Sequence, residues 1–387
     1  MVESRRVVAY HALIILLLFT YPVVGLFVVF FVFNFYGSRW WLPLASGAYL
    51  SIVFSWINSN KDLSGDWYRY VANYIYLEDL SLADYFGVEV FDVVARSSEP
   101  VYHFIASVLS KASGANVTLL AVVVTSIIYF SIVFGVVYLN RFYRYANWKV
   151  FLVAVSVGLL GITFTLTTHL VRQEMAIAFL VLALSFLLCN KIALCLIFGL
   201  LAAFTHSSSI VLLFNLIAVW FGLRLVGGLK YFALIALILS NVVFSIYFIG
   251  GGVGQQFDGR DDGAVSYLVF LFDISILLSV FFVFCFDKER RSLYKFYFVS
   301  LFSYMVFLLL CFAEPLAFLR MYFYIELFRV FGVAFVVYYL CSFSFGALPV
   351  FSLVVLGCFY VHFRVLNSPF DYGGDFFDYL FYSFLFV

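Results

Sequence analysis

The chain has 387 residues, of which 66% are hydrophobic and only 11% charged, with 52 Phe, 28 Tyr and a formal net charge of +1. A water-soluble domain carries roughly a quarter of its residues as charges, so this composition excludes one and places the chain in a bilayer. A balance so near neutrality also gives no reason to expect nucleic acid or a polyanionic surface as partner.

A helix needs about 20 mostly apolar residues to cross the hydrocarbon. That ruler predicts about twelve spans, near 8–36, 40–58, 116–139, 148–167, 171–189, 191–205, 207–222, 231–249, 264–286, 296–313, 321–341 and 347–363. The runs are continuous and not alternating, which excludes a closed β-barrel. The expected fold is therefore an all-α polytopic membrane protein forming one transmembrane domain, 1–387. Its start, "MVESRRVVAYHALIILLLFTY", has the basic and apolar parts of a signal peptide but no small-x-small cleavage site, so it is read as a retained first span. The six cysteines lie in or beside apolar runs, without C-x-x-C or His at ligand spacing, and are read as small core or lipid-facing residues.

Lys and Arg collect in the connectors "NRFYRYANWK" (140–149), "NK" (190–191), "LRLVGGLK" (223–230) and "DKERRSLYK" (287–295). Walking the spans puts all four on one side, which the positive-inside rule makes the cytoplasm. Arg5 and Arg6 disagree with that parity. The opposite, outward side receives the amphipathic loop 59–115, the turns around Arg172 and His206, the glycine-rich loop 250–263, the turn around Arg320 and the tail after His362. In the first of these loops Asp62, Asp66, Arg69 and Asn73 fall at helical spacing on one face, and the segment is expected to lie on the outer interface.

His169 and Arg172 stand at the mouth of the fifth span, followed by Gln173. Arg172 is either a snorkelling side chain or a fixed cation at a helix N-terminus, where free N–H groups already favour an anion. Arg320 is a second outward arginine with no close partner in sequence; Glu326 and Arg329, about 9 and 13 Å further down the same helix, are read as an ion pair. Two unpaired outward arginines invite a doubly charged ligand such as a pyrophosphate. Glu99, before Pro100, is either a helix N-cap or a catalytic carboxylate, and His103 one turn on is read beside it. Asp66 either pairs with Arg69 or, in a partly dry aromatic pocket that would raise its pKa, serves as general base. His206 precedes three serines; Thr205 or Ser207 is the expected cap of that turn. A Ser–His–Asp nucleophile has little support there, since no elbow motif is present. Asp273, within a span, is assigned to structure. "GGGVG" does not follow a soluble strand, "DGRDDG" lacks calcium-loop spacing, and no D-x-D is present, so nucleotide, calcium and metal-chelated nucleotide sugar are not supported.

The order of "SGDWYRY", "EPVYHF", "LVRQEMAIAF" and "AFTHSSSI" resembles the EpsG-type, Wzy-like family of exopolysaccharide and O-antigen polymerases, most closely over residues 40–220. The resemblance implies a GT-C-like transferase in the bacterial plasma membrane, active face outward, that joins lipid-linked repeat units. Its donor would be the growing chain on undecaprenyl pyrophosphate, and its acceptor a sugar hydroxyl of the incoming repeat unit. It implies Arg172 and Arg320 on the pyrophosphate, Glu99 or Asp66 as base, and His206 and His103 in acceptor positioning or proton transfer. Gln173, Arg69 and His169 join them around the substrate, with Trp67, Tyr68 and Tyr70 stacking on sugars or anchoring the loop. No cofactor is expected, a metal is not obligatory, and a Wzz-like chain-length regulator is an expected partner besides membrane lipid. The competing expectations are an O-antigen ligase or a polyprenyl-phosphate-sugar transferase and, outside the enzymes, a transporter or flippase, for which inverted repeats are not visible.

Overall fold

The computed structural model of the protein describes residues 42–81, 84, 99–250, 267–368 and 370–381, and every regular element among them is helical. The first predicted span, 8–36, and the outer loop beyond Gly250 lie outside these residues. In chain order the helices are α1 (Leu42–Ser59), α2 (Gly65–Tyr76), α3 (Pro100–Ser113), α4 (Val117–Tyr138), α5 (Asn147–Ser156), α6 (Phe164–His169), α7 (Val171–Leu188), α8 (Ile192–Thr205) and α9 (Ser209–Gly222). They continue as α10 (Gly228–Gly250), α11 (Tyr267–Phe286), α12 (Arg291–Cys311), α13 (Pro315–Tyr322), α14 (Ile325–Leu340), α15 (Ala347–Leu366) and α16 (Phe376–Phe381). Among the described residues, 7 helices are long and apolar enough to cross a membrane. The protein is a multi-pass membrane protein.

Of the roughly twelve expected spans the first lies outside the described residues, and α8 and α9, with 14 residues each, rise roughly 21 Å against a hydrocarbon core of about 30 Å. Window hydropathy misses this because it registers apolar content and not where a helix breaks. The predicted span 148–167 is likewise interrupted: α5 runs into a π-helical turn, Val157–Gly161, and then into extended backbone at Ile162 and Thr163.

Helix α7 sits at the centre, packed against α4, α8, α9 and α14. Its sequence is apolar on every side, the pattern of a helix with no lipid face, and all of it but Arg172 and Leu188 is buried. Gly135 lets α4 approach it, since a Cβ there would lie 2.9 Å from Val181 Cγ1. Small polar residues join α1 to α4, with Asn58 Nδ2 donating to Thr125 Oγ1 at 2.8 Å and Ser55 and Ser126 hydroxyls 2.9 Å apart. Such bonds hold helices together where lipid removes any hydrophobic gain from their contact.

The basic connectors gather at one end, as their sequence predicts. Arg224 Nη2 donates to Asn190 Oδ1 at 2.5 Å, the Tyr143 and Tyr294 hydroxyls meet at 3.3 Å, and Lys149 reaches the Cys341 carbonyl.

The break before α6 is held by ions. Thr163 N, without a helical acceptor, donates to Glu326 Oε1 at 2.9 Å. Arg329 Nη1 lies 3.6 Å from Glu326 Oε2, the expected pair, but its closer partner is Asp273, at 2.6 Å from Nε. Tyr322 donates to the same carboxylate at 2.7 Å. Asp273→Ala would leave the buried Arg329 short of one charge, and removing one partner of such a pair costs about 3–5 kcal/mol. We expect a markedly lower melting temperature for that variant in detergent, read by tryptophan fluorescence.

The tail past α15 folds back over the end of α1. Asp62 N donates to the Asp371 carbonyl at 2.8 Å, the Tyr372 hydroxyl meets Thr168 Oγ1 at 2.8 Å, and Tyr379 packs edge-on against Trp56 with centroids 5.1 Å apart.

Candidate active site

The polar residues singled out by sequence converge at the end opposite the basic connectors, in two groups. The first centres on Glu99. Pro100 starts α3, so Glu99 occupies the cap position, yet its carboxylate makes no capping bond. Instead Oε2 accepts from Arg172 Nη1 at 2.6 Å, and Oε1 meets His206 Nδ1 at 2.7 Å and the Ser207 N–H at 3.3 Å. The Glu99 side chain is 0% exposed. Burial raises a carboxyl's pKa, but the His206 hydrogen bond, the neighbouring charges and the Ser207 N–H outweigh it and hold Glu99 down at about 2.

The second group centres on Asp66, in the first turn of α2. Its Oδ2 lies 3.8 Å from Arg320 Nη2 and 4.0 Å from His169 Nε2, with its side chain 22% exposed. Gly65 precedes it at φ +57°, a left-handed conformation open to glycine. A Cβ there would also press to 3.0 Å from His169 Cε1. Burial, and then the Lys61 and Arg320 charges, push His169 down to about 4 against the pull of Asp66, so its ring is neutral at pH 7.

Gln173 ties the groups together. Next to Arg172 on α7, its buried Nε2 donates to the Arg320 carbonyl at 2.7 Å. The arginines come from helices α7 and α13, each with an acid as partner, and the charges of both act on His206.

Several expectations change. Arg172 and Arg320 are not unpaired: their acids lie 73 and 254 residues away in sequence, a distance no local reading can see. Arg69 is exposed, and the side chains that approach the Asp66 carboxylate are Arg320 and His169 instead. Tyr70 is buried, with the Arg172 guanidinium 5.5 Å from its ring and Tyr102 packed edge-on at 5.5 Å, so it supports the arginine and offers no face to a sugar. Trp67 is buried as well, and Tyr68 alone of the three aromatics is open. His103 is buried beside Tyr102; burial and the Arg172 charge push it down to about 4, which removes it from direct contact with an acceptor. Neither Thr205 nor Ser207 caps α9: Thr205 bonds the Leu201 carbonyl and Ser207 faces Glu99, while Ser208 meets the Tyr324 hydroxyl at 2.8 Å. Sequence reasoning passed over Lys61, which faces the Asp66 group, and Glu174, buried two residues after Arg172. An acid inside "VRQEMAIAF" was the available signal for Glu174.

Among the described residues no three His, Cys, Asp or Glu side chains are grouped to hold a metal ion. What the two groups offer is fixed cations, one sealed carboxylate and one partly exposed carboxylate at one end of a membrane bundle. Fixed guanidinium groups of this kind suit an anionic ligand. The family model of the EpsG family matches residues 48–381, and the chain belongs to that family, a Wzy-like family of polysaccharide polymerases. Comparison with curated proteins and with solved structures gives no match.

Proposed function

We propose that this protein, on a GT-C-like scaffold in the bacterial plasma membrane, polymerises undecaprenyl-pyrophosphate-linked oligosaccharide repeat units at the outer membrane face. The observation that carries this reading is that Arg172 and Arg320, from separate helices, both stand near enough to His206 for their charges to act on it. Guanidinium groups are suited to a diphosphate. In the reaction a hydroxyl of one repeat unit attacks the anomeric carbon of the other chain, and the bond from that carbon to the diphosphate oxygen breaks. The departing carrier keeps the electron pair, and Arg172 and Arg320 stabilise the charge that builds on it.

The hydroxyl proton needs an acceptor, and exposure decides between the two carboxylates. Glu99 is sealed and saturated by Arg172, His206 and Ser207, so its role is to fix Arg172 and His206. Asp66 is partly exposed and loosely engaged at 3.8 and 4.0 Å, which suits a base that must meet a substrate. His206, at the turn between α8 and α9, serves acceptor positioning.

The test is reconstitution of the full chain in liposomes with lipid-linked repeat units. Formation of a polymer ladder supports the proposal. Movement of the lipid between leaflets without new glycosidic bonds would replace it with transport.

A further inference from the structure

Lys61 follows the last turn of α1, its backbone N–H bonded to the Asn58 carbonyl at 3.2 Å. Its side chain folds inward, and the residue is only 6% exposed. The ammonium donates one hydrogen bond, to the Thr168 carbonyl at 2.9 Å, and otherwise faces rings: Phe370 at 4.1 Å and Trp67 at 5.8 Å. Among the described residues no carboxylate lies within 4 Å of it. Asp62 and Asp66 act on it from further away.

An ammonium has three donors, and burying a charge without a paired anion is costly. The Thr168 carbonyl and the Phe370 ring engage the ammonium, but neither carries a formal negative charge and only one of its three donors is used. The charge also stands where the site needs one. Thr168, which holds it, adjoins His169, and His169 and Asp66 lead to Arg320. Phe370, from the tail, lies 4.7 Å from the His169 ring and fixes Lys61 and His169 side by side. Lys61 is thus a buried cation at the Asp66 edge of the site, with donors to spare.

We infer that Lys61 is an anion ligand of this site, taking a phosphate or carboxylate oxygen of the saccharide-lipid beside Arg320. The inference rests on the polymerase reading for the identity of that substrate and on the contacts of Lys61 for the rest. The two sources of such an oxygen are the carrier diphosphate and an acidic sugar. Burial lowers Lys61 to about 8, opposed by Asp62 and Asp66. The titratable groups facing it are Asp62 from its own turn, Asp66 from α2 and His169 from α6. A group whose pKa is depressed to about 8 is charged below that pH, so anion affinity should fall as pH rises through about 8.

The experiment measures binding of inorganic pyrophosphate and of glucuronate, by calorimetry, to the full chain in nanodiscs. Lys61→Met is expected to weaken one or both by roughly tenfold or more, with Lys61→Arg retaining binding. Loss confined to pyrophosphate assigns the carrier diphosphate, and loss confined to glucuronate assigns an acidic sugar. Unchanged affinity for both overturns the inference. Should Lys61→Met fail to fold, the pH profiles decide: Lys61→Arg cannot titrate in this range, so it must lack the fall near pH 8, beyond the probe's own titration, that the unmodified chain shows. Identical profiles overturn the inference. If Arg172→Ala loses pyrophosphate and Lys61→Met loses neither anion, the polymerase reading stands without Lys61. If Lys61→Met loses the anion while the unmodified chain makes no ladder, the anion site stands and the polymerase reading falls.

Discussion

Asp66→Asn should cut chain elongation by roughly 10²–10⁴-fold, the usual contribution of a general base, with little change in folding. The amide keeps the shape of the carboxylate but cannot take the acceptor's proton. Its one ionic contact, to Arg320 at 3.8 Å, and its approach to the neutral His169 ring at 4.0 Å involve partly exposed side chains, and such a pair contributes about 0–1 kcal/mol. The melting temperature in detergent should therefore hardly move. Ladder assays across a range of acceptor concentrations would separate the loss of rate from any loss of binding. Elongation by Asp66→Asn at the rate of the unmodified chain would remove Asp66 from the chemistry.

The sequence made much of this site legible because membrane proteins are sparing with charge. Against an apolar background, "EP" at 99–100, "RQ" at 172–173, the His206 turn and Arg320 stand out one by one, and the basic connectors assign them to a common end. What it could not supply was pairing. Arg172 binds Glu99 across 73 residues and Arg320 binds Asp66 across 254, so both arginines looked free. Nor could it rank the carboxylates. Glu99 and Asp66 are each set among aromatic residues in sequence, and only packing shows that one is sealed and the other open. The same blindness hid the breaks: nothing in the hydropathy of residues 148–167 separates α5 from α6, because the interruption at Thr163 is satisfied by Glu326, 163 residues away. Lys61 escaped notice for the opposite reason. It sits in "NSNKDLSGD", a stretch polar enough to read as solvated, yet Phe370 and Trp67 bury it.

Arg172→Ala should abolish polymer, and it should also weaken the fold, because the Glu99 carboxylate it leaves behind is fully buried. Removing one partner of a buried pair costs about 3–5 kcal/mol, most of it the stranded charge. The double variant Arg172→Ala, Glu99→Gln removes that stranded charge and should recover much of the stability while making no polymer. The contrast separates a structural ion pair from a catalytic cation, since a purely structural Arg172 would let the double variant regain activity along with its melting temperature. Acid gives a second readout. Glu99 is held at about 2 against an ordinary 4.5, so its contribution to stability is complete above pH 4.5 and is lost as pH falls toward 2. In Arg172→Ala the carboxyl keeps His206 and the Ser207 N–H but loses one of the charges that hold it low, and acidification to pH 3 should then destabilise the variant less than it destabilises the unmodified chain. Equal acid sensitivity in both would mean that His206 and Ser207 hold Glu99 without help from Arg172, leaving the arginine free to bind substrate from the outset.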